Sequence, residues 1–406
     1  MVCESTRRKW GKIKMLITYK VEINPTNNQQ WLLDRHIGGS RWAYNLFLDM
    51  NKRRYQDGYH YMGAYEFSKW FNTEYLEANP DDMWIKDLSS KSVKQAFIDA
   101  DMAMKRFFKH LSGYPHFRAW KREQGSYYFV KNSKSQIIPV ERHRIKLPKI
   151  GWVRLKEYGY IPTAAEHFVV KQGRVKKHAG RYYLTCLVEQ ADPVQPELTG
   201  EGVGIDLGVK EFAILSNGTI YGNRNKSSRV KRLRKQLRRL QRKQSRQYLA
   251  FKARKQKEGN SATDLNLAKT RLRMQRLYQR LQNIQADYQN KIIAAVVTTK
   301  PQWVALEDLN VKGMMKNRHL AKATSYQGFY NFRVKLVAKC QQLGIPVHLT
   351  NRFEPTSKLC HECGAKKVDL KLSDRIYRCP VCDYVEDRDI NAALNIRDTE
   401  NFELAY

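Results

Sequence analysis

The chain has 406 residues, with 74 Lys and Arg against 39 Asp and Glu, a formal net charge of +35. Domains run roughly 100 to 200 residues, so the length predicts several modules rather than one core. The charge exceeds what solubility asks for and points to a polyanionic partner. There is no run of about 18 apolar residues and no stretch resembling a signal peptide, so a membrane is set aside. Nucleic acid is the expected partner, and the cytoplasm, in association with the nucleoid, the expected location.

In chain order, the first legible element is MLITYKVEINPT, which alternates like a strand and meets Pro25-Thr26 with Gln29 three residues on, a capping box that starts a helix. A helix-rich region follows. Its clearest member begins after Ser89-Ser90 and carries Val93, Ala96, Phe97, Ala100, Met104, Phe107 and Leu111 on one apolar face. From about Ser126 to Gln190 the pattern changes to SYYFV, HRIKLP, GWVRL, HFVV and RYYLTCLV, which predicts a small β-barrel or sheet. The strand at Leu16 to Ile23 is expected to join it, with the helical region inserted between.

After the linker EQADPVQPELTGEG, a new domain is expected near Glu201, opening with VGIDLGVKEFAILSNGTIYG, two or three strands with a hairpin turn at Asn217-Gly218. Arg224 to Lys257 then holds 16 Lys and Arg and no acidic residue, with Leu233, Leu237 and Leu240 at helical spacing. A solvated helix face accounts for many such runs. Here the absence of acidic partners favours phosphates as the neutralising groups. A second long helix is predicted from Leu265 to about Val297, followed by a buried strand in WVALEDL.

Seven cysteines occur, and Cys360, Cys363, Cys379 and Cys382 fall within 23 residues as CHEC, fifteen residues, then CPVC. Two CxxC turns at that separation suit four thiolates around one structural Zn²⁺ in a ribbon. Cys3, Cys186 and Cys340 lie far apart, so this is no disulfide framework, and a reducing compartment fits better. His361 is expected to stand aside from the metal.

Asp206 sits within the apolar strand VGIDLGV, where a lone carboxylate is costly unless paired or bound to a cation. Glu307 repeats the situation in WVALEDL, and Asp389 opens the apparent helix DINAALNI. Hard divalent cations prefer oxygen ligands and are commonly held by a few carboxylates plus substrate phosphates, so these acids suit phosphodiester hydrolysis with two metal ions. Each also has a plainer role: Asp206 capping a turn, Glu307 pairing with a basic helix, Asp389 as a helix N-cap. Spacing does not separate Glu307 from Asp308 or Asp389 from Asp387.

The order GIDLGVK, ALEDLNVKG, FEPTSKLCHECG, YRCPVC and DRDINAALNI resembles the TnpB (OrfB) family encoded by insertion sequences, relatives of type V CRISPR effectors. The likeness is at motif level from about 203 to 397, extends to the opening TYKVEINPTNNQQWLLDRHIGGSRWAYN, and is only general over about 50 to 195. It implies a multidomain α+β protein. A RuvC-like (RNase H-type) α/β nuclease domain at 201–406, with a zinc ribbon inserted at 355–386, is preceded by a wedge β-barrel in two parts, 1–24 and 123–195. A helical recognition lobe at 25–122 is inserted between those parts. The resemblance places the family's acidic triad on Asp206, Glu307 and Asp389. It implies RNA-guided DNA endonuclease activity with two Mg²⁺ or Mn²⁺ ions, one Zn²⁺, a guide RNA, and double-stranded target DNA beside a short adjacent motif, the protein acting as a monomer. A DNA transposase, a compact CRISPR effector, a guided DNA-binding regulator that does not cut, and an inactive zinc-ribbon DNA binder are the competing readings.

Overall fold

The computed structural model describes residues 14–120, 125–131, 138–163, 168–191, 195–259, 263–352, 354–371 and 374–405. The chain forms two compact units, one within residues 1–192 and the other within 193–406. Cys3 and part of the linker after Gln190 lie outside the described residues.

In the first unit, strand β1 (Lys14–Asn24) leads through the expected Thr26–Gln29 capping box into α1 (Asn27–Gln56). The helical part continues with α2 (Ala64–Trp70), a wide turn at Phe71–Tyr75, the single turn α3 (Leu76–Ala78), a 3-10 segment at Pro80–Asp87, and α4 (Ser90–Phe108). Phe47, Phe67, Phe71 and Phe97 are all buried at its centre, with the Phe47 and Phe67 rings 4.8 Å apart. Val93, Ala96, Phe97, Ala100 and Met104 face this core as predicted, but Leu111 lies beyond the end of α4 and is exposed.

The strands of this unit are β2 (Tyr127–Val130), β3 (Val140–Glu141), β4 (Arg144–Leu147), β5 (Gly151–Leu155), β6 (Phe168–His178) and β7 (Arg181–Ala191). They form one sheet in the order β2-β6-β7-β1-β5-β4-β3, so the N-terminal strand does enter it, between β7 and β5. Its end strands β2 and β3 do not pair with each other among the described residues. Val21, Ile145, Val153, Val175, Leu184 and Val188 alternate with exposed or half-buried neighbours and fill its core.

The second unit is built on a mixed sheet. Strands β8 (Val203–Leu207), β9 (Glu211–Leu215) and β10 (Ile220–Gly222) form an antiparallel run whose turn carries Gly218 at φ +80°. Strand β11 (Val304–Glu307) lies parallel to β8 on one side and to β12 (Val347–Thr350) on the other; β15 (Phe402–Leu404) closes the edge antiparallel to β12. Between β10 and β11 runs a hairpin of two long helices, α5 (Ser228–Glu258) and α6 (Leu265–Thr298), seamed by Leu233, Leu237, Leu240 and Leu277.

The short helices α7 (Val311–Lys316) and α8 (Ala321–Gln327) lead to α9 (Phe329–Gln342). On β8, Val203, Ile205 and Leu207 point to the face covered by Ile292, Val296, Phe329 and Phe332 from α6 and α9. By alternation Gly204 and Asp206 point to the other face. That face is covered by α10 (Arg388–Asp398), which follows the two-stranded ribbon of β13 (Ile376–Arg378) and β14 (Val385–Asp387).

Candidate active site and cysteine cluster

Three chain segments about a hundred residues apart bring the three acids to one end of this sheet. Leu306 is registered against Ile205 across the parallel β8 and β11, so the next residues, Glu307 and Asp206, are neighbours on adjacent strands. Asp389 arrives on α10, whose backbone comes unusually close to β8. A Cβ on Gly204 would stand 2.0 Å from the Ala393 carbonyl oxygen and 2.7 Å from the Arg397 nitrogen, so only glycine permits this packing. Asp389 is four residues before Ala393 on the same helix face, and Asp206 is two residues after Gly204 on the same strand face. The close approach therefore delivers one acid towards the other.

Charge records the result. Burial, followed by repulsion from Glu307 and Asp389, pushes the Asp206 carboxyl up to about 8, against a smaller opposing pull from Arg388. Burial also raises Glu307, opposed by the Thr356 hydroxyl, which donates a 2.9 Å hydrogen bond to its Oε1. Asp389 is paired with Arg388 at 3.0 Å and Arg375 at 3.5 Å.

Divalent cations fit this donor set. The groups are carboxylate oxygens, which hard cations prefer, and their mutual repulsion is what a bound cation would relieve. In addition Thr350, in register with Glu307 on β12 and 1% exposed, has a buried Oγ1 without a hydrogen-bond partner among the described residues. Buried hydroxyls are normally satisfied, so an orphan in the same row as Asp206 and Glu307 suits a site completed by a cation and its water. The acids are not drawn together as tightly as the cysteines described below.

The two neighbours that spacing left open have other partners. Asp308 is clamped by Arg333 and Arg352, which hold its carboxyl below the usual range. Asp387 is the N-cap of α10, accepting from the Asp389 and Ile390 backbone at 2.8 and 3.2 Å, so Asp389 is spared the capping role. Thr350, Thr356, Arg375 and Arg388 escaped the sequence reading. Of these only Thr356 left a signal, standing in the EPTSK segment just before the first CxxC.

Cys360, Cys363, Cys379 and Cys382 converge, with all four Sγ atoms within 4.8 Å of one another. Cys360 to Cys382 and Cys363 to Cys379 are each 3.6 Å apart. Four thiolates about 2.3 Å from one Zn²⁺ would stand roughly 3.8 Å apart at the corners of a tetrahedron, so the cluster has the dimensions of a metal site. The Val381 and Cys382 amides point at the Cys379 sulfur, 3.4 and 3.5 Å away, and that thiol is lowered to about 6 despite some burial. His361 instead faces Asp398 through its ring at 3.7 Å and Asn391 through its backbone.

The cluster is tied to α10 by two asparagines one turn apart. Asn391 donates to the Leu359 carbonyl at 2.7 Å, and Asn395 donates to those of Thr356 and Leu359, both at 2.8 Å. On α5, by contrast, Lys235, Arg239, Arg242 and Arg246 are exposed on one face, and no carboxylate pairs with the helix among the described residues. Arg234, at the foot of the helix, is held over the Tyr326 ring, 3.2 Å from its centre, and donates to Asn225.

Three family models match the chain: one described as "Probable transposase" over residues 185–318, one as "Cas12f1-like, TNB domain" over 329–396, and one as "Helix-turn-helix domain" over 15–59. Over that last stretch the structure has strand β1 and the single helix α1. The Escherichia coli (strain K12) protein named "Putative RNA-guided DNA endonuclease InsQ" is 29% identical over 95% of this chain and 92% of its own length. A Streptomyces pristinaespiralis protein named "Putative RNA-guided DNA endonuclease" is 28% identical over 93% of this chain and 88% of its own. A solved structure described as "Cryo-EM structure of the Cas12f1-sgRNA-target DNA complex" aligns with a TM-score of 0.49 and 14% identity, over 96% of this chain and 100% of that one.

Proposed function

We propose, for a chain that belongs to the TnpB (OrfB) family, that it is an RNA-guided endonuclease hydrolysing phosphodiester bonds of target DNA at Asp206, Glu307 and Asp389. The observation that carries this reading is that the β8–β11 register sets Glu307 beside Asp206 while the helix seated on Gly204 brings Asp389 towards them, burial first and the two acids second raising the Asp206 carboxyl. The names borne by the relatives in Escherichia coli and Streptomyces agree with it.

In this reading residues 201–406 are a RuvC-like nuclease domain. A zinc ribbon at 355–386 holds one structural Zn²⁺ on the four cysteines. Residues 1–24 and 123–195 are the wedge, and 25–122 the recognition lobe. The acids would hold two Mg²⁺ or Mn²⁺ ions, which supply an activated water and Lewis-acid stabilisation of the leaving oxygen. Asp206 and Glu307 hold their places through the parallel strand register, and Asp389 through the helix seated on Gly204. Arg375 and Arg388, beside Asp389, are placed to meet a phosphate once cations occupy the carboxylates.

The basic face of α5 tracks phosphates without reading sequence. Guide pairing supplies the specificity, beside a short adjacent DNA motif. One copy of the chain with one guide RNA is the working unit, acting on DNA in the cytoplasm of its host cell.

The test is to purify the protein from cells that also express its flanking DNA, sequence the RNA that comes with it, and challenge the complex with a matching plasmid library of randomised flanks in Mg²⁺. Guide-dependent cutting that vanishes in Asp206→Ala is the expected result. Joined DNA ends would indicate a transposase, and RNA binding without cutting a guided regulator.

A further inference from the structure

Between the cysteine cluster and the acids lies a side chain, that of Thr356, which touches one and is tethered beside the other. Thr356 is 3% exposed, donates its hydroxyl to Glu307 Oε1 at 2.9 Å, and has its own carbonyl fixed by Asn395 of α10. Three residues on, the Leu359 carbonyl accepts from both Asn391 and Asn395, and Cys360 follows immediately. Leu359 also bridges to Lys366 inside the ribbon. The segment 356–360 is therefore pinned at its Cys360 end by the ribbon and at Thr356 and Leu359 by the helix that carries Asp389.

We propose that Thr356 is a positioning residue for Glu307, through which the folded ribbon sets the geometry of the acid site. The inference rests on the reading of Asp206, Glu307 and Asp389 as a divalent-cation site. A buried glutamate side chain has three torsions to fix, and the hydroxyl fixes them by engaging Oε1, which leaves Oε2 for a cation in the row shared with Asp206 and the orphaned Thr350 hydroxyl. Ser and Thr supply the shortest strong neutral donor, and the β-branched Thr has its χ1 restricted by its own backbone.

The experiment compares Thr356→Val, which keeps shape and removes the donor, with Thr356→Ser, which restores it. Mn²⁺ affinity is read on the full-length protein by electron paramagnetic resonance, zinc content by elemental analysis, and melting temperature by calorimetry. The expected result is one zinc per chain in every variant, with Mn²⁺ affinity about tenfold weaker in Thr356→Val and within about twofold of wild type in Thr356→Ser, the size expected for one hydrogen bond to a charged group. Cutting assayed at saturating Mn²⁺ should recover in Thr356→Val, which a general loss of fold would not allow.

Unchanged Mn²⁺ affinity in Thr356→Val overturns the proposal. A wild-type protein whose Mn²⁺ signal is insensitive to Asp206→Asn instead overturns the cation-site reading beneath it. If Thr356→Val does not fold, Asn395→Ala frees the Thr356 carbonyl while leaving the hydroxyl, and is expected to weaken Mn²⁺ by about threefold, roughly half the effect in free energy. No change there also overturns the proposal.

Discussion

The Ala393 carbonyl occupies the space into which a side chain on Gly204 would project, 2.0 Å from its Cβ position. Gly204→Ala should therefore push α10 off β8 rather than settle in place. Overpacking of this kind costs about 1 to 3 kcal/mol, and here the obstacle is backbone, which cannot rotate away. The expected outcome is a melting temperature lowered by several degrees and loss of cutting, because Asp389 travels with the helix. Calorimetry and a plasmid cleavage assay read both.

Asp206→Asn should stabilise the cation-free protein while abolishing cleavage. The aspartate is buried beside two acids, and neutralising it removes first the cost of keeping a charge from water and then that repulsion, at nearly constant volume. A gain of about 2 kcal/mol, roughly 4 to 8 °C for a unit of this size, is expected at pH 8.5 in a chelator. At pH 4, where the wild-type carboxyl is already protonated in the folded state, the two melting temperatures should converge.

The same shift fixes the sign of the pH dependence. Asp206 is raised from 3.8 to about 8, so the folded chain keeps a proton that the unfolded chain releases. This contribution to stability is fully present below about pH 4 and is lost as pH rises through about 8. Glu307, raised by burial, acts in the same direction. Unfolding by urea in a chelator should show the decline in the second unit, and 10 mM Mg²⁺, about the level that fills weak carboxylate sites, should flatten it.

Cys379→Ser should cost the ribbon its metal. Elemental analysis is expected to fall from one zinc per chain to none, and Cys363, already exposed, should become reactive to a thiol reagent. Tyr377, buried beside the thiols with its hydroxyl facing the Lys358 and Ala365 carbonyls, should shift its fluorescence as that small core opens.

Replacing Arg239, Arg242 and Arg246 by Gln should weaken the binding of RNA and DNA alike. Every phosphate that no longer meets a cationic side chain reduces the slope of log affinity against log salt by about 0.7 for a single strand and about 0.9 for a duplex. A slope lowered by about 2, with Asp206-dependent cutting retained at low salt, is the expected pattern in filter binding and cleavage assays.

Periodicity reported what is local. The Thr26 cap, the Leu233, Leu237 and Leu240 stripe, and the strand VGIDL all appear where their patterns predict them, because each depends on neighbours within a turn or a pleat. The sheet pairing of β1 was legible because its alternation needs a partner, although nothing local names β5 and β7. Leu111 fits the stripe of α4 but falls past its end, where the chain turns at His110, at φ +54°. Asp308 and Glu307 are indistinguishable by position, and what separates them are Arg333 and Arg352, 25 and 44 residues downstream. The hydroxyls of Thr350 and Thr356 were invisible for the same reason: they matter only through a carboxylate on another strand.

The three acids come from β8, β11 and α10, with the helical hairpin emerging between the first pair and the ribbon between the second. Synthesis proceeds from the N-terminus, so Asp389 is the last of the three acids to emerge. In the proposed reading the basic face that would hold RNA lies wholly ahead of Asp389 in the chain, so the groups that would choose a partner are synthesised before the last of the acids that would cut.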